Sequence, residues 1–210
     1  MKHDFTNPLN ILLVGVGGQG ILLAGDIIAA ASMNAGLDVK KSDVHGMAQR
    51  GGSVTSQVRI GHQVFAPLIA SGSADILISF EKQEALRYAD MLKPGGMAVV
   101  SDMLITPITV ASGQAPELKE EEINSRLTTG FEHLLLLDAN RIAESLGSIR
   151  VANVVLTGAL AGLLPLEMGI WNQAIREMVK PQFVEINLQA FAEGRKAVEE
   201  GQAVSVRVLL

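Results

Sequence analysis

Cysteine is absent from the 210 residues of this sequence. Its absence excludes disulfide bonds, thiolate nucleophiles and sulfur-ligated metal centres from the chain. Any iron–sulfur chemistry in which the protein takes part therefore belongs to another polypeptide.

Clusters of positive charge and of histidine are also absent. The net charge is −5, and Lys and Arg form no block, so nothing in the sequence indicates binding to nucleic acid. The four histidines lie far apart and show neither HxH nor HxxxH spacing, which argues against a metal site. They are His3, His45, His62 and His133. An anionic ligand would have to be held by a few local groups.

Long apolar runs are missing as well. No run approaches the ~20 residues that span a bilayer. The N-terminus lacks the charged and apolar regions of a signal peptide. We therefore expect a soluble, cytoplasmic protein with no membrane contact.

Short apolar runs are plentiful. Hydrophobic residues make up 48% of the chain, and many are Ala, Val, Leu and Ile in short stretches typical of strands covered on both faces. The length suits one sizeable α/β domain and is too short for two with separate cores. We expect a single domain over residues 1–210.

The sequence Asn10-Ile-Leu-Leu-Val-Gly-Val-Gly-Gly-Gln-Gly20 opens an Ala/Leu/Ile-rich segment, which predicts a strand, a tight turn and a helix. Gly15, Gly17 and Gly20 fit the G-x-G-x-x-G pattern and enclose Gly18 and Gln19. We call residues 15–20 the first turn. A helix start there would direct N–H groups and a positive dipole end at an anion such as phosphate. The glycines are equally explained by close packing of helix on strand.

A nicotinamide dinucleotide site would also need an acidic residue about 20 positions further on, to bind a ribose hydroxyl. Asp38 and Asp43 are the candidates. Asp38 falls at the predicted start of its strand, and Asp43 is followed by an atypical loop. The nicotinamide interpretation is therefore less favoured.

A second loop follows the strand predicted over residues 37–43. Its sequence is His45-Gly-Met-Ala-Gln-Arg-Gly-Gly-Ser53. The Arg50 guanidinium beside Gly51, Gly52 and the Ser53 hydroxyl is typical of an anion clamp, although a salt bridge to a partner subunit explains it almost equally well. His45 is the one titratable group placed for proton transfer near a ligand. The alternative for His45 is a loop histidine that hydrogen-bonds the backbone.

The rest of the pattern predicts an α/β, Rossmann-like three-layer domain with a mostly parallel sheet, an inserted antiparallel hairpin and a helical C-terminal third. The hairpin is predicted from alternating runs at 53–60 and 63–66 joined by Gly61-His62. Further strands are predicted at 73–80, 97–101 and 133–137, and helices at 21–33, 81–92, 117–127, 139–146, 153–164, 166–179 and 187–200.

The predicted helix over 153–164 carries small residues that would let another backbone come close. They are Gly158, Ala159, Ala161 and Gly162. The helix is therefore either deep core or a subunit contact, and core is favoured.

Several segments together resemble the gamma subunit, or gamma domain, of 2-oxoacid:ferredoxin oxidoreductases. They are Gly15-Val-Gly-Gly-Gln-Gly20, Lys40-Lys-Ser-Asp-Val-His-Gly-Met-Ala-Gln-Arg-Gly-Gly-Ser-Val54, Ala74-Asp-Ile-Leu-Ile-Ser-Phe-Glu81 and Lys93-Pro-Gly-Gly96. Asn153-Val-Val-Leu-Thr-Gly-Ala-Leu-Ala161 and Asn187-Leu-Gln-Ala-Phe191 extend the likeness over nearly the whole chain. The second loop is the most diagnostic part and is most similar to the indolepyruvate-type members. The pyruvate and 2-oxoglutarate enzymes tend to carry a Tyr-Gly-x-x-x-Arg-Gly-Gly variant.

The resemblance implies an accessory subunit of a complex that oxidatively decarboxylates a 2-oxoacid, such as an arylpyruvate, to an acyl-CoA. In such complexes thiamine diphosphate adds to the keto carbon, and electrons pass through iron–sulfur clusters to ferredoxin. Both cofactors would lie in a partner subunit, so this chain would contact ferredoxin only indirectly. It would hold no metal and no catalytic residue.

The resemblance further implies that the first turn and the second loop line the approach to the active site or hold a phosphate-bearing ligand, with coenzyme A as the leading candidate. The expected binding residues are Gly15, Gly17, Gly18, Gln19, Gly20, His45, Arg50, Gly51, Gly52 and Ser53. Alternatives stay open: a gamma subunit acting on pyruvate, 2-oxoglutarate or branched-chain 2-oxoacids, a stand-alone dinucleotide-binding protein, and a purely structural subunit.

Overall fold

The computed structural model of the chain describes residues 4–45, 52–106, 110, 113, 118–200 and 204–205. Within these ranges, seven strands form one sheet. They are β1 (Leu9–Val16), β2 (Asp38–His45), β3 (Ser53–Gly61), β4 (Ala74–Ser79), β5 (Leu92–Ser101), β6 (His133–Leu137) and β7 (Val204–Ser205). Their order across the sheet is β2-β3-β1-β4-β5-β6-β7. β2 is thus an edge strand of this sheet.

Most strands of the sheet run in one direction. β1, β4, β5 and β6 pair in parallel. β3 is antiparallel to both β1 and β2, and β7 is antiparallel to β6. The α/β class with a mostly parallel sheet and an antiparallel insertion is therefore confirmed.

The strand β3 of that insertion pairs with other strands than the one predicted. β3 pairs with β2 on one side and β1 on the other, whereas residues 62–73, all of them described, form no strand. The segment is held by side chains instead: the Val64 N–H donates to the Asp38 carboxylate at 2.8 Å, and Arg59 donates to the Ala66 carbonyl at 2.9 Å. The prediction that 63–66 would pair with 53–60 is wrong because a local alternation does not reveal a strand's non-local partner.

Among the described residues, seven α-helices cover the two faces of the sheet. They are α1 (Ile21–Asn34), α2 (Lys82–Arg87), α3 (Glu120–Gly130), α4 (Ala139–Ser145), α5 (Ala152–Ala161), α6 (Met168–Met178) and α7 (Val184–Glu199). Short 3₁₀ turns lie at Ala89–Met91, Ile149–Val151 and Pro181–Phe183. The predicted helix over 81–92 is shorter than expected, because residues 92–96 join β5 through an irregular register opposite Ala74 and Ile76.

Alternation along the strands divides the core into two layers, because successive side chains of a strand point to opposite faces. On one face, Ile11 and Leu13 pack against α1 and the helices from α4 to α7. On the other face, Leu12 and Leu77 pack against α2 and α3. Helices on both faces of one sheet give the expected three layers.

The closest helix contact joins α5 and α7. A Cβ atom added at Gly158 would lie 2.9 Å from the carbonyl carbon of Phe191, and closer still to its oxygen. A Cβ atom at Gly194 would lie 2.7 Å from the carbonyl carbon of Val155. Asn153 and every following residue of α5 are buried within the chain itself. The expectation that this small-residue helix is core is confirmed.

Within the described residues, no helix combines the length and apolar character needed to span a bilayer.

Candidate functional site

The first turn needs glycine for reasons of backbone and packing. Gly18 and Gly20 have φ values of 103° and 78°, which L side chains rarely adopt. A Cβ atom at Gly15 would lie 2.9 Å from Cβ of Phe80, and one at Gly20 would lie 2.5 Å from Nδ2 of Asn153. The packing explanation of the glycine pattern therefore holds at Gly15 and Gly20, whether or not a ligand binds.

Gln19 fixes the shape of the first turn. Its Oε1 accepts from the Val16 N–H at 2.7 Å, and its Nε2 donates to the Phe80 carbonyl at 2.8 Å and to Met103 Sδ at 3.3 Å. The side chain thus ties together the ends of β1 and β4 and the segment after β5. Both ends of its amide are occupied in positioning the turn, and its predicted ligand contact remains a prediction.

Two helices begin next to the first turn. Among the described residues, no side chain caps the start of α1 or the start of α5. Asn153 joins the two starts, because its Nδ2 donates to the Gly20 carbonyl at 3.2 Å. The free first-turn N–H groups of α1 favour negative charge. α5 instead continues the 3₁₀ turn of Ile149–Val151, and the Ala152 N–H donates to the Ile149 carbonyl.

Both helix starts open on a cavity of about 430 Å³, which we call the α1–α5 cavity. It lies beyond the carboxyl ends of β4 and β5, where open α/β sheets bind ligands. Its polar and turn residues are Gly18, Gln19, Gly20, Ser101, Asn140, Arg150 and Asn153, and its apolar walls include Leu23, Phe80, Met103, Ile149 and Leu156.

The polar side chains of this cavity are largely unpaired. Asn153 is 4% exposed, and its Oδ1 has no hydrogen-bond partner among the described residues. Ser101, which is 2% exposed, and the exposed Arg150 also form no side-chain hydrogen bond with a described residue. Leaving a buried acceptor unsatisfied costs about 1–3 kcal/mol, so native structures keep such groups for a reason. Sequence reasoning missed these three residues, although Asn153 opens one of the segments that carried the family resemblance.

The end of the second loop is tied to the first turn and to α2. The Gly17 N–H donates to the Gly52 carbonyl at 2.9 Å. The Ser53 hydroxyl donates to the Glu84 carboxylate at 2.5 Å and lies 3.1 Å from the Tyr88 hydroxyl. The structure therefore brings the two glycine-bearing segments together, while Ser53 serves an internal network.

The side chains of three residues predicted to bind a ligand in the second loop cannot be placed, and only the backbone of the first of them is described. His45 ends β2 opposite Val54. Its side chain, Arg50 and Gly51 lie outside the described residues. Their roles remain predictions.

The two acids considered for a nicotinamide site are engaged elsewhere. Asp38 starts β2, at the edge of the sheet opposite the first turn, and accepts from Lys40 at 2.5 Å and from the Val64 N–H. Asp43 accepts from Lys41 at 2.8 Å and from Ser56 at 2.6 Å. Both carboxylates are thus engaged by neighbouring groups of β2, β3 and the segment after β3.

Buried charges anchor the neighbouring start of α2. Glu81, 1% exposed, accepts from the Glu84 N–H at 2.9 Å and the Ile105 N–H at 3.1 Å. Lys82, also 1% exposed, pairs with Asp102 and, at 2.7 Å, with Glu120. Burial alone would lower the pKa of Lys82, but hydrogen bonds to these two carboxylates raise it. Lys82 therefore stays charged and ties α2 to β5 and α3.

Burial raises the pKa of the Glu81 carboxyl above its ordinary value of 4.5, against the opposing effect of the N–H groups that donate to it. The folded protein thus holds this proton more tightly than the unfolded chain, and the contribution of Glu81 to stability falls as pH rises through the window above 4.5. Glu81→Gln lacks this titration. We therefore expect the difference in unfolding free energy, parent minus variant, to decrease as pH rises above 4.5. Once Glu81 of the folded protein is fully ionised, the difference should become constant.

Urea unfolding of both proteins at pH values from about 4 to about 7 measures this difference. In the variant, one of the two Glu81 carboxylate oxygens that accept backbone hydrogen bonds is replaced by an amide NH₂. The glutamine does not titrate, so its own energetic cost does not change with pH. A difference between parent and variant that stays constant over this range would contradict a raised Glu81 pKa.

Among the described residues, no group of three His, Asp or Glu side chains is placed to hold a metal ion.

Comparison with known proteins gives relatives over nearly the whole chain. Indolepyruvate oxidoreductase subunit IorB of Archaeoglobus fulgidus is 42% identical over 200 residues, which are 94% of this chain and 99% of the relative. 2-Oxoglutarate synthase subunit KorC of Methanothermobacter thermautotrophicus is 33% identical over 197 residues, covering 91% of this chain and 95% of the relative.

Two solved structures share the fold. The gamma subunit of a keto/oxoacid ferredoxin oxidoreductase from Geobacter sulfurreducens has a TM-score of 0.69 at 24% identity and covers 92% of this chain and 98% of that one. 2-Oxoglutarate:ferredoxin oxidoreductase from Magnetococcus marinus, with 2-oxoglutarate, coenzyme A and succinyl-CoA bound, has a TM-score of 0.69 at 23% identity. It covers 92% of this chain and 31% of that one. These likenesses confirm the architecture.

The family itself is identified by a direct match that covers most of the chain. Residues 10–197 match the family described as pyruvate ferredoxin/flavodoxin oxidoreductase. The match contains the first turn, the second loop and all the helices that surround the α1–α5 cavity. The chain belongs to the pyruvate ferredoxin/flavodoxin oxidoreductase family.

Proposed function

We propose that the chain is the accessory subunit of a cytoplasmic 2-oxoacid:ferredoxin oxidoreductase of the indolepyruvate type. The observation that carries this proposal is the 42% identity to an indolepyruvate oxidoreductase subunit over almost the full length of both chains. The reaction converts an arylpyruvate, coenzyme A and two oxidised ferredoxins into an acyl-CoA, carbon dioxide, a proton and two reduced ferredoxins.

The redox cofactors of the reaction are assigned to partner subunits. Thiamine diphosphate supplies the carbanion chemistry of decarboxylation, and iron–sulfur clusters carry electrons one at a time to ferredoxin. Cluster ligation requires thiolates, and this chain has no cysteine. Its contribution is therefore to bind, orient and shield rather than to transfer electrons.

We further propose that the first turn and the second loop help hold coenzyme A. The hydrogen bond from Gly17 to Gly52 brings the end of the second loop against the uncapped start of α1. Such a helix start favours a phosphate. Arg50, which the sequence places two residues before Gly52, would add the cation that a phosphate clamp needs. The Magnetococcus marinus enzyme, which has the same fold in part of its chain, binds coenzyme A.

The Arg50→Ala variant tests the clamp in the complex reconstituted with the cluster-bearing partner. We expect the apparent KM for coenzyme A to rise about 10-fold to 100-fold, as for loss of a charge-assisted hydrogen bond. Assembly, measured by size-exclusion chromatography, should be unchanged. Steady-state titration of coenzyme A with an arylpyruvate and ferredoxin gives the KM.

Arg176→Ala is the matched control, because Arg176 is exposed on α6 and outside the α1–α5 cavity. A purely structural subunit predicts the opposite outcome for Arg50→Ala: weakened assembly and an unchanged requirement for coenzyme A. That result would overturn the clamp.

A 2-oxoglutarate enzyme is the second candidate, supported by the 33% identity to a 2-oxoglutarate synthase subunit. Comparing the rates of the reconstituted complex with indolepyruvate, phenylpyruvate, pyruvate, 2-oxoglutarate and a branched-chain 2-oxoacid separates the alternatives. We expect the arylpyruvates to be the best substrates.

A further inference from the structure

We infer that an exposed apolar stretch on the face of the sheet opposite α1 docks into the partner subunit, in an apolar pocket that lies beside a carboxylate. The stretch is Phe65-Ala-Pro-Leu68, which we call the apolar tip. This inference rests on the proposed function, because it names the surface through which the accessory subunit would bind its partner. The surface is separate from the α1–α5 cavity.

The apolar tip lies on a part of the sheet that helices leave open. On the face that packs against α2 and α3, the core layer takes residues from β1, β4, β5 and β6, but among the described residues none from β2 or β3. The segment over residues 62–73 lies there instead, because Gln57 and Arg59 of β3 bond to it from this face. A long connection without secondary structure in a compact domain usually carries a function.

The backbone of the apolar tip is firmly held. Val64 and Ile69 are buried on either side of it. The Ile69 N–H donates to Gln57 Oε1 at 2.6 Å, and Arg59 Nη1 donates to the Leu68 carbonyl at 3.3 Å. These bonds add to the two already described for this segment. A surface fixed in this way loses little conformational entropy when a partner binds.

The side chains of the apolar tip point to solvent. Phe65 is 85% exposed and Leu68 is 60% exposed. Val44, 55% exposed, lies on the same face of the sheet, because it pairs with Thr55 in the register that also pairs Lys40 with Arg59. It extends the apolar surface towards the start of the second loop. Exposed apolar side chains on a rigid support mark a protein interaction site, and aromatic residues are its strongest anchors.

The charge beside the apolar tip indicates the chemistry of the partner. Arg59 forms no ion pair with the described residues. Its Nε donates to Asn10 Oδ1 at 2.8 Å, its Nη1 donates to carbonyl oxygens of the tip, and its Nη2 has no described partner. Asp38, which accepts from the Val64 N–H, is already paired with Lys40. A carboxylate on the partner would therefore form a charge-assisted hydrogen bond with Arg59.

A second copy of this chain is a poorer occupant than a different protein. A two-fold symmetric contact places the same patch on both sides. It would bring two Arg59 guanidinium groups together without an acid between them. A different chain that offers a carboxylate beside an apolar pocket complements both the charge and the apolar surface. In the proposed complex, that chain is the partner subunit.

The dissociation constant between the full-length chain and the purified partner subunit, measured by isothermal titration, tests the docking site. We expect Phe65→Ala to raise the Kd about 10-fold to 100-fold, as for loss of an aromatic anchor. Leu68→Ala should raise it by a smaller factor. Phe183→Ala is the matched control, because Phe183 is exposed in the turn before α7, on the opposite face of the sheet. It should leave the Kd unchanged. Circular dichroism establishes that each variant is folded.

Two substitutions at one position test the charge of the partner. Ala66 is exposed within the apolar tip, so it can be replaced by a longer side chain in the free protein. Ala66→Glu should raise the Kd at least about 10-fold more than Ala66→Lys, because the glutamate neutralises Arg59 and repels a carboxylate on the partner. A lysine variant that binds no better than the glutamate variant would overturn the assignment of an acidic partner surface.

The outcomes distinguish this inference from the proposed function. If the parent chain binds the partner and Phe65→Ala binds it equally well, the docking site is overturned and the proposed function stands. An equal loss of binding in Phe183→Ala also overturns the docking site. If the parent chain does not bind the partner, the proposed function fails and the inference fails with it. Sedimentation velocity of the isolated chain checks the second copy: self-association that Phe65→Ala abolishes would overturn the assignment to a different subunit.

Discussion

Replacing Gly158 by alanine is expected to lower the free energy of unfolding by at least about 3 kcal/mol. The new methyl group would enter the space of the Phe191 carbonyl on α7. Both groups belong to backbones of packed helices, so neither can rotate away. The helices have to separate, and the buried contact that includes Trp171 and Phe191 would loosen with them. Gly194→Ala, which meets the Val155 carbonyl from the other side, should have a similar effect.

Urea unfolding followed by circular dichroism measures this loss, and thermal unfolding should show a lower Tm for both variants. Gly169→Ala is the matched control. Gly169 lies in α6 with nothing within 4 Å of the added Cβ, so the variant should be neutral or slightly more stable because alanine favours helix. A Gly158→Ala protein as stable as this control would contradict the close approach of α5 and α7.

Replacing Gly20 by alanine is expected to destabilise the protein by about 2 kcal/mol or more. Two effects combine at this position. Its φ of 78° strains any residue with a Cβ, and the added methyl group would lie 2.5 Å from Nδ2 of the buried Asn153.

Two comparisons separate strain from collision. Gly18→Ala carries the backbone strain of a positive φ alone, because nothing lies within 4 Å of its added Cβ. The double variant Gly20→Ala/Asn153→Ala removes the collision, so it should be more stable than the sum of the single changes by about 1 kcal/mol. If the losses of unfolding free energy from the two single changes simply add in the double variant, the Asn153 side chain is not what excludes a Cβ atom at Gly20.

The elements that the sequence predicted well are those with a local cause. β6 occupies the predicted residues 133–137, and β4 lies within the predicted run, because central parallel strands are continuous apolar segments. α1 ends near Gly36, whose φ of 79° suits glycine after a helix. Asp138 lies immediately before α4, whose start matches the prediction, and caps it by accepting from the Arg141 N–H.

The elements that the sequence did not predict depend on distant partners. The alternation in β3 identified a strand but not its pairing with β2 and β1. The α1–α5 cavity joins the first turn to Arg150 and Asn153, which lie more than a hundred positions further along the chain, so no local pattern could reveal it. Gln19 was predicted as a ligand contact because it lies in the motif. Only the structure shows its amide bonded to Val16 and Phe80.

The position of β3 between β1 and β2 also determines when the sheet becomes protected during synthesis. β1 and β2 leave the ribosome first, yet they do not pair with each other in the native sheet. Until residues 53–61 have emerged, the facing edges of both strands present unpaired N–H and C=O groups that invite association with other nascent chains. Pairing β1 with β3 then closes a long stretch of chain, which is a slow step in folding. Emergence of residue 61 from the ribosome is therefore the earliest moment at which these two edges can be fully covered.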